Sequence, residues 1–147
     1  PLYCVRKEIG YVKWSQVGKE YRPLSNKWKV LVAKASPGED TLPHTIISAP
    51  VLSEPKSVCT NGLFVVKTVK SKAEAQNLID YMHTSFFRFM MLLAKNGHNL
   101  TNRVYRYVPV LDLSKKWTDK MLFKRYGITK TEQDFIKSVI KDINDKG

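Results

Sequence analysis

Between Ser71 and Asn96 the apolar residues Ala75, Leu78, Met82, Phe86, Phe89 and Leu93 recur at spacings of three and four, and no proline interrupts them. That is the period of a helix with one apolar side, so the spacing predicts a single long helix here. Ser71-Lys72-Ala73-Glu74 supplies its start, a capping box in which the serine hydroxyl meets the third helical amide and the glutamate reaches back. Asn96-Gly97 can end it. From Phe86 to Leu93 the apolar residues run nearly all round, which only a core position accepts. Whatever else the chain does, it must build its core around this segment.

The flanking regions predict strands and short helices. Val5 to Val17 and Trp28 to Ala35 are rich in Val, Leu, Tyr and Trp, with Gly10 and Gly18 as punctuation, and read as short strands. Ser36 to Asp40 has the composition of a turn. Thr41 to Lys56 carries Pro43, Pro50 and Pro55, each without a ladder donor, and is expected to be irregular or an edge. Asn61-Gly62 lies between Ser57–Thr60 and Leu63–Val69 and predicts a hairpin, because both residues tolerate positive φ. Asn99 to Arg106 reads as a polar, basic loop. Pro109 drives its predecessor out of the helical region, so Tyr107 to Leu111 reads as extended. Thr118 starts a short helix that Gly127 ends. Thr129-Lys130-Thr131-Glu132 is a second capping box, opening a last helix with Phe135, Ile136, Val139, Ile140 and Ile143 inward.

The expected fold class is therefore α+β, a small mixed or antiparallel sheet with a hairpin, packed on one long central helix, with two short C-terminal helices. A chain of 147 residues is the size of one domain, and 43% hydrophobic residues suffice for a core. Residues 1 to 147 are expected to form a single DNA-binding domain, 1 to 25 being the tail of a preceding strand region and 114 to 147 a helical tail on the core. Opening on Pro1 rather than Met is expected of an excised C-terminal fragment.

Charge points to the partner. Lys and Arg number 25 against 13 acids, a net charge of +12, which concerns what the surface attracts rather than how the chain folds. Residues 1 to 38 carry +6, residues 39 to 80 carry −1, and residues 112 to 147 carry +3. Residues 81 to 111 hold Arg88, Lys95, Arg103 and Arg106 and no Asp or Glu, as a surface facing phosphates would. The DNA-contact candidates are Lys67, Lys70, Lys72, Lys95, Asn96, Asn99, Asn102, Arg103 and Arg106, a set rich in the side chains that read adenine and guanine edges. Arg88, inside an apolar helix, needs a partner, and Asp112 is the expected one. Lys115, Lys116, Lys120, Lys124 and Arg125 invite a helix-turn-helix reading. Asp134, Asp142 and Asp145 argue against it, leaving a packing and phosphate-contacting tail.

Catalytic patterns are sparse. There is no P-loop, no HExxH, no Asn/Asp-Pro-Pro-aromatic segment and no CxxC; Cys4 and Cys59 read as buried thiols, and His44, His83 and His98 as ordinary residues. One alternative is a magnesium-dependent nuclease set of Asp40, Glu54 and Lys56, two carboxylates for the metal and a lysine to orient water. Pro55 weakens it by breaking the strand such a site needs. The longest apolar run, Phe86 to Ala94, is broken by Arg88 and is about half a bilayer span. A cytoplasmic location, double-stranded DNA as partner and no membrane are the corresponding expectations, with no metal site and no cofactor in the fragment.

Three ordered blocks carry a resemblance. Thr84-Ser85-Phe86-Phe87-Arg88-Phe89, Tyr107-Val108-Pro109-Val110-Leu111-Asp112-Leu113 and Trp117-Thr118-Asp119 through Lys124-Arg125-Tyr126-Gly127-Ile128-Thr129 resemble the C-terminal region of bacterial type II restriction-modification enzymes and adenine-specific DNA methyltransferases. The resemblance extends through Trp28-Lys29-Val30 and Thr60-Asn61-Gly62, over roughly residues 26 to 143. It departs at Ser85, where Lys is expected, and at Val110-Leu111, where Leu and Gln are common. It implies a target-recognition-type domain that grips and reads the duplex for a catalytic module in the same polypeptide or complex. The parent would be a restriction endonuclease, a methyltransferase or both, with S-adenosylmethionine or magnesium serving that module. An assembly role in the restriction complex is the further alternative. Specificity is expected in segments 36 to 57 and 95 to 106.

Overall fold

The structure, a computed structural model, describes residues 1–4, 9–36, 42–96, 100 and 102–142. In chain order its elements are β1 (Leu2–Tyr3), β2 (Ile9–Gly10), α1 (Arg22–Ser25), β3 (Trp28–Ala33), β4 (Val51–Ser53), β5 (Val58–Cys59) and β6 (Leu63–Val69). Then follow α2 (Lys72–His83), α3 (Ser85–Ala94), α4 (Asp119–Arg125) and α5 (Lys130–Val139). Single 3-10 turns occupy Trp14–Gln16, Lys19–Tyr21 and Asn102–Tyr105. The fold class is α+β.

The apolar run of β3 makes it the central strand. It pairs antiparallel with β4 on one side and β6 on the other, and Val30, Leu31 and Val32 have no exposed surface. A strand buried on both faces needs cover on both. Val30 and Val32 face the helices, in one core with Leu78, Met82, Phe86 and Met91. By the alternation of a strand, Lys29 and Leu31 face the other way. That side lies toward α1 and the small sheet in which β1 pairs antiparallel with β2 and parallel with β5. β4, preceded by Pro50 and followed by Glu54-Pro55, is an edge strand, as its prolines predict.

Asn61-Gly62 makes a turn without making a hairpin. The Leu63 N–H donates to the Thr60 carbonyl at 3.0 Å, closing the turn. Positive φ among the described residues is confined to Ile46, Lys56 and Gly127, so neither Asn61 nor Gly62 adopts the conformation of a hairpin-forming type I′ turn. The strands on either side diverge, β5 to β1 and β6 to β3.

The expected long helix is two helices. Thr84 leaves the helical region at ψ 147°, ending α2 and capping α3. Its Oγ1 accepts from the Phe87 N–H at 3.1 Å and donates to the Tyr81 carbonyl at 2.7 Å. The break resets the helical phase. Ala75, Leu78, Met82 and Phe86 are buried as expected, but α3 buries Phe87, Arg88 and Met91, while Phe89 is half-buried and Leu93 is 56% exposed. At the start of α2 the Ser71 Oγ accepts from the Glu74 N–H at 3.1 Å, and the Glu74 carboxylate reaches one residue further back, to the Lys70 N–H.

The C-terminal helices form as their punctuation predicts. Thr118 caps α4, and Gly127 at φ 64° ends it in a Schellman motif, with Ile128 N–H donating to the Phe123 carbonyl and Gly127 N–H to that of Lys124. The Thr129–Glu132 capping box opening α5 is complete. Ile136 and Ile140 are buried and Val139 partly so, whereas Phe135 is exposed and meets the ring of Phe89 edge-on. Ile143 and the turn residues 37–40 lie outside the described residues, as do residues 5–8 of the first expected strand. In the rest of that segment Ile9–Gly10 is a strand, but Trp14–Gln16 turns as a 3-10 helix.

Candidate nucleic-acid interface

β6 places the first cation. It is an edge strand, and its pairing with β3 shifts register between Val30↔Lys67 and Leu31↔Val65. Such a bulge re-aims the side chains that follow it. Lys67, opposite the helix-facing Val30, is exposed at one wall of a cleft of about 400 Å³. Asn102, Tyr105, Phe64, Tyr81 and Phe87 line the same cleft.

The turn Asn102–Tyr105 places the next group. Val104 is buried, and the Tyr105 ring packs edge-on against Phe64 and Phe87 at 6.0 and 6.3 Å between centroids. Just upstream, the Leu100 N–H donates to the Lys34 carbonyl at 2.8 Å, fastening the segment to the end of β3. Anchored from beneath, the turn presents Asn102, Arg103 and Arg106 to solvent. The Arg106 Nε donates to the Arg103 carbonyl at 3.3 Å, and its guanidinium lies 5.8 Å from the ring of exposed Tyr107. A cation beside an exposed aromatic suits both phosphate and base stacking.

The remaining candidates are spread more widely. Lys70 lines a second cleft, of about 590 Å³, together with Asn26 and Lys27. Lys72 is exposed at the first position of α2. Lys95 is half-buried and Asn96 exposed just beyond α3, and neither lines these two clefts. Asn99 lies outside the described residues. Lys27, Asn26 and Tyr107 were not among the sequence candidates. Lys27 meets Lys70 because Trp28 pairs with Val69, a register that spacing along the chain does not reveal.

Arg88 does not pair with Asp112. It is 1% exposed and donates to three carbonyls, from NH1 to Lys141 at 2.6 Å, from NH2 to His83 at 3.2 Å and from Nε to Thr84 at 3.4 Å. Burial pushes its guanidinium down to about 10, opposed by the charges of Asp119 and Asp142. Asp112 is exposed and accepts from the backbone and hydroxyl of Ser114.

The nuclease alternative finds its residues differently employed. Asp40 lies outside the described residues. The Glu54 carboxylate accepts the Tyr3 hydroxyl, and exposed Lys56 sits at φ 60° with its N–H on the Ser25 carbonyl. The nearby lysine with buried chemistry is Lys29, whose Nζ donates to Ser57 Oγ at 2.8 Å and lies 3.1 to 3.2 Å from the carbonyls of Ser25, Lys27 and Glu54. Burial lowers its pKa, partly offset by Glu54. Burial likewise raises that of Tyr3, with the Glu54 hydrogen bond adding to it. Cys4 and Cys59 are free and half-buried rather than fully buried. Among the described residues no three His, Cys, Asp or Glu side chains gather as a metal site, and no helix is long and apolar enough to cross a membrane.

No protein-family model matches the chain, and no curated protein or solved structure matches it.

Proposed function

We propose that this is a cytoplasmic, non-catalytic DNA-binding domain of the target-recognition type, which grips duplex DNA for a methyltransferase or nuclease module of a bacterial type II restriction-modification system. The restriction-modification assignment rests on the resemblance of the three sequence blocks. The DNA-binding assignment rests on one observation, the anchored turn at Asn102–Tyr105. It holds Asn102, Arg103 and Arg106 outward in a stretch free of carboxylates, and Asn102 shares a cleft lining with Lys67. Rigid backing lowers the entropy lost when exposed cations settle on phosphates, and the neighbouring amide and aromatic ring are groups that read bases.

The test is a salt titration of duplex binding. Affinity should fall linearly with salt on logarithmic axes, and replacing both Arg103 and Arg106 with Ala should reduce that slope by about 2. The melting temperature should stay within about 3 °C of the parent's, because exposed side chains contribute little to stability. Binding that is undetectable, or indifferent to salt, refutes the reading.

A further inference from the structure

Residues 112 to 147, read from sequence as a packing and phosphate-contacting tail, mix nine bases with six acids. Three of the described acids of that tail are turned to structural tasks. Both oxygens of Asp119 accept amides at the start of α3, from Ser85 at 2.9 Å and Phe86 at 2.8 Å. Glu132 accepts the Thr129 N–H and hydroxyl, and Asp134 pairs with Lys130 on its own helix. The bases are not matched in the same way. Among the described residues the ion pairs are Lys116–Asp80 and Lys130–Asp134, and neither involves Lys120, Lys124 or Lys137.

Those three lysines line one concave surface. A cleft of about 640 Å³ between α4 and α5 has Lys120 and Lys124 on one side and Lys137 on the other, over Phe123 and Ile128. Gln133 holds its geometry by donating to the Ile128 carbonyl at 2.8 Å, and the Schellman motif at Gly127 fixes the angle between the helices. Lys120 and Lys124 stand four residues apart on one helix, where like charges repel. Asp119, which also lines the cleft, has both carboxylate oxygens turned to the α3 amides. The result is a cleft lined by three ammonium groups and one carboxylate, a net positive charge with no ion pair within it, which a phosphate oxygen would relieve.

We infer that the α4–α5 cleft is a second DNA-contact site, taking a backbone phosphodiester without reading sequence. The inference rests on the DNA-binding reading above and adds to it a contact surface separate from the Asn102–Arg106 turn. Lysine suits the task, as a point charge on a flexible stem that follows phosphates without demanding bidentate geometry.

The experiment compares the parent domain, Lys120→Gln/Lys124→Gln/Lys137→Gln and Arg103→Ala/Arg106→Ala for binding to one fluorescein-labelled duplex across a salt series. The triple variant should keep the melting temperature, because all three lysines are exposed. It should reduce the salt slope by about 1, the contribution of the single phosphate that the cleft no longer neutralises. A triple variant that binds with the parent's slope while the arginine variant loses slope overturns the second site and leaves the DNA-binding reading standing. A parent domain that does not bind the duplex overturns both.

Discussion

The guanidinium of Arg88 donates to the carbonyl of Lys141 at 2.6 Å across 53 residues of chain, tying the end of the tail to the buried core of α3. Two more carbonyls, of His83 and Thr84, complete its shell at the junction between α2 and α3. Arg88 thus serves as the rivet between the helical tail and the central helices, and its charge is balanced by backbone dipoles with Asp119 and Asp142 nearby.

Replacing Arg88 with Ala leaves these carbonyls without their donor and opens a void in the core. A loss of about 3 kcal/mol is expected, a fall of roughly 10 °C in melting temperature. Hydrogen exchange should show the faster opening first in α5, if Arg88 fastens the tail. DNA affinity measured below the new melting temperature should change much less than in the Arg103/Arg106 variant.

Lys29 plays the corresponding part on the other face of the sheet. Its ammonium gathers carbonyls from the α1–β3 turn and from Glu54, and binds Ser57. Lys29→Met retains the aliphatic volume but strands those acceptors, and should cost about 2 to 4 kcal/mol in chemical denaturation. A variant as stable as the parent would show that the cluster is dispensable.

The junction at Thr84 can be tested from both of its supports. Thr84→Ala removes the hydroxyl cap of α3, and Asp119→Ala removes the acceptor of the two preceding amides. Each should destabilise by about 1 to 2 kcal/mol. The double variant should lose less than the sum if both act by ordering the same helical turn, which a double-mutant cycle reads directly.

The capping box of α5 makes a pH-dependent contribution. Hydrogen bonds from the Thr129 backbone and hydroxyl hold the Glu132 carboxyl below its ordinary value. A depressed carboxyl favours the folded state above the unfolded pKa and loses that advantage as pH falls through the folded one. The stability difference between the parent and Glu132→Gln should therefore be constant near neutrality and shrink in acid, followed by thermal melts across that range. A difference that grows on acidification would contradict the assignment.

Local chemistry made much of this protein legible from its sequence. Ser71, Thr118 and Thr129 cap the helices they were expected to cap, Gly127 ends α4 in the left-handed region, and β3 is the strand its Val and Trp content predicts. These features depend on a few neighbouring residues and on backbone sterics, which a sequence displays directly. The helical period across Thr84 was misleading for a related reason. A single non-helical residue leaves the spacing intact on paper while rotating everything that follows, so Leu93 turned outward and Arg88 inward.

Partnership was decided only in three dimensions. Asn61-Gly62 could have closed a hairpin, but β5 and β6 each found a better strand elsewhere, because pairing answers to burial of whole faces rather than to two turn residues. Arg88 chose carbonyls over Asp112. The basic surface was visible in the sequence as charge, most plainly in the acid-free stretch from 81 to 111. Its arrangement was not, because a tally along the chain does not say which cations the fold brings into an ion pair and which it leaves without one. Lys120, Lys124 and Lys137 come together around one cleft, and Lys67 and Asn102 line another.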